Sequence, residues 1–474
     1  MFLEIKRRYN RISEREGGEV MEQKNETEVV QNQRITDGVI WKQLILFSIP
    51  IMIGTLFQQL YNMIDAIVVG NFVGKTALAS VGGSTQQIVG LVLGFFVELS
   101  SGAAVVIAQY YGAGEKKKLS DALHTTIAFC VMAGVILSLV GYFGAPTFLR
   151  WMNTPEDTMD GSILYLKIYF CGILFSFFYN VGAAILRAVG DSRKPLYYLA
   201  VCCILNTVLD VLLVLVFRLG IFGVAIATVF SQAVSALLIL ITLVRTKDIY
   251  RLSLLKISIC RSSLLEMLRI GIPMGMQALM YSASNIVIQM ALNRLGTDTV
   301  AAWSVFTKID AFYWMVLTGF GIAITTFAGQ NYGAKKYKRV LESVSVCVKL
   351  TLCISIGMSI FFLLCGKGLF GAFTADKNVI GIGVRILKYM APAYALFVFI
   401  EIYSGALRGI GDVIIPTIMT CFGVCIFRIV WIFVIVPMNP TIEAVTLSHP
   451  VSWGVTALLY IIYWNLRKRR LLKG

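Results

Sequence analysis

Four oxygen-bearing side chains in the first half of this sequence have the types and spacing to hold a small cation: Asp65, Asn206, Asp210 and Thr228. Asn206 precedes Asp210 by four residues, so on a helix the two face the same way, one turn apart. Both acids lie inside apolar runs, where a charged side chain costs about 2.5–3.5 kcal/mol at mid-membrane and calls for an explanation. Depth counted from the flanking loops puts Asp65, Asp210 and Thr228 at a similar level, toward one end of their runs. Oxygen ligands of this kind suit Na+, and two carboxyls at one level can share a proton. Hydrogen bonding between helices would account for the hydroxyl but not for two acids with no basic neighbour in sequence. Other chemistry is excluded. Gly70 to Thr76 imitates a phosphate-binding loop but has three residues between its glycines where that motif needs four. No nucleophile–base pair stands out, so no enzyme and no cofactor are expected. With two histidines and ten cysteines that form no CxxC pair, no His/Cys metal site is expected either.

The elements that must position these residues are membrane spans. Of 474 residues, 57% are hydrophobic and 14% charged, against about 25% charged in soluble chains. The mean hydropathy is +0.77. Apolar stretches of about 20 residues, long enough to cross a hydrocarbon core, recur from Trp41 onward. Twelve spans are predicted, at 42–69, 79–108, 120–145, 161–186, 196–217, 221–244, 263–292, 299–328, 340–365, 381–407, 417–436 and 449–466. The net charge of +16 sits mainly in the loops of one side, among them Lys116–Lys118, Lys335–Arg339 and Arg467–Arg470; Arg187 and Arg408 are counted with these loops. Such asymmetry marks the cytoplasmic side and places both termini there. It argues against nucleic acid as the partner of these charges.

An internal repeat organises the chain. Ile49-Pro50 recurs as Ile272-Pro273, and Gln109-Tyr110-Tyr111-Gly112-Ala113 as Gln330-Asn331-Tyr332-Gly333-Ala334. Leu186-Arg187-Ala188-Val189-Gly190-Asp191 recurs as Leu407-Arg408-Gly409-Ile410-Gly411-Asp412. Six spans per copy is an even number, so both copies enter the membrane from the same side. The expected fold is an all-α membrane protein: twelve transmembrane helices in two six-helix bundles related by a pseudo-two-fold axis along the membrane normal. The bundles are expected at 41–244 and 263–474, joined by a basic linker at 245–262, after a disordered cytoplasmic tail at 1–40. Within that tail, Gly17 to Val20 can be encoded as a ribosome-binding site, which makes Met21 an alternative start. Glu401 is the repeat mate of Asn180 and Arg428 that of Thr207, so Glu401 and Arg428 are expected to form a buried pair in the second bundle. Glu98 has no partner in sequence; it is expected to face a cavity, to pair with Lys308 or to reach the cytoplasmic edge. Gln58, Tyr61, Tyr179, Met276, Met280 and Tyr281 are the further cavity candidates, because Met and aromatic side chains repack around varied flat cations.

The chain resembles the MATE (multidrug and toxic compound extrusion) transporters of the DinF-like and MepA-like bacterial branches. The resemblance runs from about Trp41 to Arg470. Its carriers are Ile49-Pro50, Asn62-Met63-Ile64-Asp65, Ala108 to Gly114, Leu186 to Asp191, and Asn206 with Asp210, in that order and partly duplicated. It implies a V of two bundles and alternating access driven by Na+ or H+. It also implies that Asn180 joins Asp65, Asn206, Asp210 and Thr228 at a cation site. The acids that NorM-like members carry in the second half are missing, their places falling near Tyr281 and Phe397. The resemblance points to a secondary active, monomeric exporter of small-molecule drugs or organic cations embedded in the lipid bilayer. A lipid or oligosaccharide flippase of the same superfamily is the alternative; it would carry more mid-span cations than Lys308 and Arg428.

Overall fold

The structure is a computed structural model and describes residues 35–472. Its long elements are helices, as hydrocarbon demands of a backbone that must bond within itself. In chain order they are α1 (Ile40–Val73), α2 (Lys75–Ala113), α3 (Lys116–Trp151), α4 (Glu156–Ala188), α5 (Arg193–Val216) and α6 (Gly220–Arg245). A segment with one 3-10 turn, Leu254–Lys256, leads to α7 (Arg261–Arg294). Then follow α8 (Thr297–Gly333), α9 (Tyr337–Gly371), α10 (Lys377–Gly409), α11 (Ile414–Val434) and α12 (Ile442–Leu471). Most run several residues past the predicted spans, because hydropathy marks only the part of a helix inside the hydrocarbon. Eleven are apolar enough to cross a membrane by composition. The remaining one, α7, is as long but carries Gln277, Asn285 and Gln289 on a face turned to a cavity.

Helices α1–α6 form one bundle and α7–α12 the other, with an exchange at the basic face. Leu44, Phe47 and Ile51 of α1 belong to the core of the second bundle, and Met267, Ile270 and Met274 of α7 to a core of the first. The duplicated motif locks this face. Gln109 Nε2 donates to Gly409 O at 2.8 Å, and its repeat mate Gln330 donates to Ala188 O at 2.7 Å. Between them α2 and α8 cross so closely that a β-carbon on Gly112 would strike Gln330 O, and one on Gly333 would strike Gln109 O. Gly102 and Gly271 let α2 and α7 meet in the same way. Away from the basic face the packing stays within each half: the core around Val68, Tyr169 and Val224 contains no residue of the second bundle. The molecule is a V whose point lies at the basic loops.

Residues 1–34 of the expected tail, with Met21, lie outside the described residues. Residues 35–39 correct that expectation. Ile35 is packed into the second bundle's core, and Lys336 holds Asp37 at 2.7 Å. Arg187 and Arg408 also depart from the sequence reading: both lie in helices and line a cavity rather than a loop.

The glycine crossing predicts a contrast. Gly333→Ala should destabilise the detergent-solubilised protein by about 1–3 kcal/mol, the usual cost of overpacking. Gly357→Ala, where a β-carbon meets nothing within 4 Å, should leave stability equal or higher. Thermal midpoints of the two variants measured side by side check this; equal midpoints would refute the crossing.

Candidate functional site

Asp65 stands four residues before a π-helical turn, Val69–Val73, and Asp210 immediately before another, Val211–Val216. Such turns widen the helix and free backbone groups, and they recur at functional positions. They sit side by side because α1 packs along α5. The result is a small polar chamber in the first bundle. Asp210 and Asn206 are fully buried, and Asp65 and Thr228 nearly so. The carboxyls of Asp65 and Asp210 lie within hydrogen-bonding reach of each other. Tyr61 OH donates to Thr228 Oγ1 at 3.4 Å, and Tyr165 adds a second phenol beside Asp65 and Thr228. The Tyr165 ring stacks on Tyr169, centroids 6.1 Å apart.

What this chamber lacks decides its chemistry. Asp65 Oδ1, both carboxyl oxygens of Asp210 and both amide atoms of Asn206 are buried without a protein partner. Among the described residues no lysine, arginine or histidine forms an ion pair with either acid. An uncompensated buried carboxylate is strongly unfavourable. The pair therefore fits two occupants: one shared proton, or a small cation taking oxygen ligands from both acids, Asn206 and Thr228. Asn180 does not join them. Its amide donates to Ser176 O at 2.8 Å, and it lines a cavity between the bundles of about 390 Å3 together with Gln58, Tyr179 and Arg187. It lies eleven residues, three turns, along α4 from Tyr169, too far toward the basic face.

A larger cavity, about 670 Å3, opens in the second bundle. Glu98 and Tyr281 line it; Glu98 reaches it from α2 and interacts with Arg408 and Glu401, not with Lys308. Met274, Gln277, Ala278, Tyr281, Asn285 and Ile288 face it at helical spacing along α7. Met276 and Met280 are out of phase with that face: Met276 is exposed elsewhere and Met280 packs on the bundle core. Tyr61 belongs to the carboxyl chamber, not to this cavity.

The expected Glu401–Arg428 pair does not form. Glu401 lies on Gly321 and pairs with Arg408 at 3.4 Å, two turns along its own helix. Arg428 instead donates from Nε to Ser452 Oγ at 3.1 Å and lies over the Trp453 ring at 5.6 Å. The repeat argument fails for a local reason. A π turn at Cys421–Ile426 ends two residues before Arg428, whereas the matching stretch of α5 is regular α-helix. The extra residue in the turn rotates Arg428 relative to Thr207. Sequence reading also missed Asp310. Its two carboxyl oxygens accept from Tyr394 OH at 2.5 Å and Trp314 Nε1 at 2.7 Å. An acid within the apolar part of α8 was the available signal.

The MatE family profile matches residues 50–212 and again 273–434. The chain belongs to the MATE family. It is a membrane transporter and not an enzyme. A Bacillus subtilis protein named "Probable multidrug resistance protein YoeA" is 28% identical over 92% of this chain and 96% of that protein. "Multidrug export protein MepA" of Staphylococcus saprophyticus is 22% identical over 83% of this chain and 87% of its own length. Among solved structures, a MOP superfamily transporter from Pyrococcus furiosus superposes with a TM-score of 0.86 at 23% identity, over 94% of this chain and 99% of that one. A structure titled as the outward-facing conformation of a multidrug resistance MATE transporter matches equally, over 93% and 98%. At these identities the structures bear on the fold, and the fold of this MATE protein is theirs.

The unpartnered carboxyls predict an unusual substitution. In sodium-free buffer near neutral pH, Asp210→Asn should leave the thermal midpoint equal or higher, since removing a buried uncompensated charge relieves about 1–3 kcal/mol. Added sodium or, where the occupant is a proton, lower pH should raise the wild-type midpoint and not that of the variant. A clear loss of stability, with sodium still stabilising, would contradict the chamber as described.

Proposed function

We propose that this protein exports organic compounds, often cationic, from a bacterial cell in antiport with Na+ or H+, by alternating access. One observation carries the reading: two carboxyls converge in the first bundle with no basic side chain to compensate them. Relatives named as multidrug resistance and export proteins support the cargo. The V shape supports the cycle. With the basic face cytoplasmic and both termini there, the closed point faces inward and the opening outward. In that state Asp65 and Asp210 take up the cation. Neutralising them favours a rearrangement of α1 and α5 at their π turns, which expels the cargo. The inward-open state then releases the cation to the cytoplasm. One elementary charge crossing about 100 mV supplies about 2.3 kcal/mol, which sustains roughly a 50-fold cargo gradient.

The flippase alternative asks for a cationic cavity that cradles phosphate. Arg187, Arg408 and Arg428 do line the cavities, more cations than sequence reading counted, but Glu98, Asp310 and Glu401 line them too. That balance supports soluble organic cargo over a lipid phosphate.

In proteoliposomes with sodium and proton gradients imposed separately, one gradient should drive dye efflux and the other should not. Asp65→Asn should abolish the driven efflux, at least about 100-fold by the scale of charge capture in a dry site, while dye binding stays measurable. Undiminished efflux by that variant would end the proposal.

A further inference from the structure

We propose that Arg428 is the docking point for an anionic oxygen group on an aromatic cargo molecule held in the cavity of the second bundle. The idea deepens the export reading and rests on it for the word cargo. Arg428 is 4% exposed. Its Nε is used by Ser452 and one face of its guanidinium by Trp453. No carboxylate pairs with it among the described residues. Asp310, the acid that acts on it through space, has both oxygens already bonded to Tyr394 and Trp314. Its terminal N–H groups have no hydrogen-bond partner among the described residues, and the side chain lines the cavity.

A buried guanidinium left half-bonded is costly, and a structural arginine would be closed off by a carboxylate. The anchoring here does something else. Ser452 and Trp453 fix the plane of the fork and leave its outer edge free, the arrangement that binds a planar carboxylate by two parallel hydrogen bonds. The neighbouring walls are Trp303, Phe306, Trp314 and Phe397, flat surfaces suited to a ring system rather than to an acyl chain. About 670 Å3 accommodates a drug-sized molecule. Glu98 and Glu401, with only Arg408 between them, put surplus negative charge in another part of the cavity. A zwitterion meets both: its anion on Arg428, its cation toward Glu98.

The test compares two dyes with one ring system. Tetramethylrhodamine is a zwitterion with a free carboxylate; its methyl ester is a cation. Binding of each to the full-length purified protein is followed by fluorescence polarisation, for the wild type, Arg428→Gln and Arg428→Lys. The wild type should bind the acid at least about tenfold more tightly than the ester. Arg428→Gln should erase that preference by weakening binding of the acid, while ester affinity holds or rises as a repelling charge is removed, which also reports that the variant is folded. Arg428→Lys should retain part of it, keeping the charge but losing the fork. Equal wild-type affinities, or a preference that survives Arg428→Gln, would overturn the proposal. So would displacement of the acid by phosphatidylglycerol that depends on Arg428, which would assign the arginine to a lipid headgroup. Efflux assays with both dyes separate the two claims: absence of export under every gradient removes the export reading, while the binding preference still decides the role of Arg428.

Discussion

The structure turns on the cost of keeping ionised oxygen in a dry place. Asp65 and Asp210 face each other in the first bundle with no cation supplied by the protein. Two like charges at that separation cannot both persist in low dielectric. The chamber therefore favours a proton or a small cation in it. The π turns on α1 and α5 begin at or just beyond the acids. A change in charge at that point acts on backbone that is already irregular, where rearrangement costs least.

The second bundle solves the same problem in the opposite way. Two of its buried acids are answered by protein groups, Asp310 by a phenol and an indole and Glu401 by Arg408, while Arg428 meets only a hydroxyl and an aromatic face. The two halves descend from one repeat and share their locking motif at the basic face. They differ in what they leave unsatisfied. The first half leaves acceptors for a small cation, while the second leaves an open guanidinium edge in a cavity large enough for an organic molecule. On the proposed function, that division would let ion and cargo bind at different places in one body.

Much of this was legible in sequence, and the reasons are specific. Hydropathy located the helices because the bilayer imposes length and composition together. It placed even α7, predicted at 263–292 and found at Arg261–Arg294, although cavity-facing amides lower its apolar character. The pairing of Asp65 with Asp210 followed from depth, since an intramembrane acid can be placed by counting residues from a loop. Depth fails where helix phase matters. Asn180 and Met276 sit on the right helices but at the wrong level or on the wrong face. The repeat marked Gln109 and Gln330 without showing what they bond, and it failed for Glu401 and Arg428, because a single π turn shifts the rotation of everything beyond it. Arg187 and Arg408 were read as loop charges because the predicted spans end at 186 and 407, two residues before the helices do.

The most direct test reads the carboxyls themselves. Infrared difference spectra recorded while the driving cation is added to the full-length protein would report any change in carboxyl protonation or coordination. Bands from the carboxyl stretch should appear in the wild type and vanish when Asp65 and Asp210 are both changed to asparagine. The same bands persisting undiminished in that double variant would place the coupling elsewhere and contradict the account.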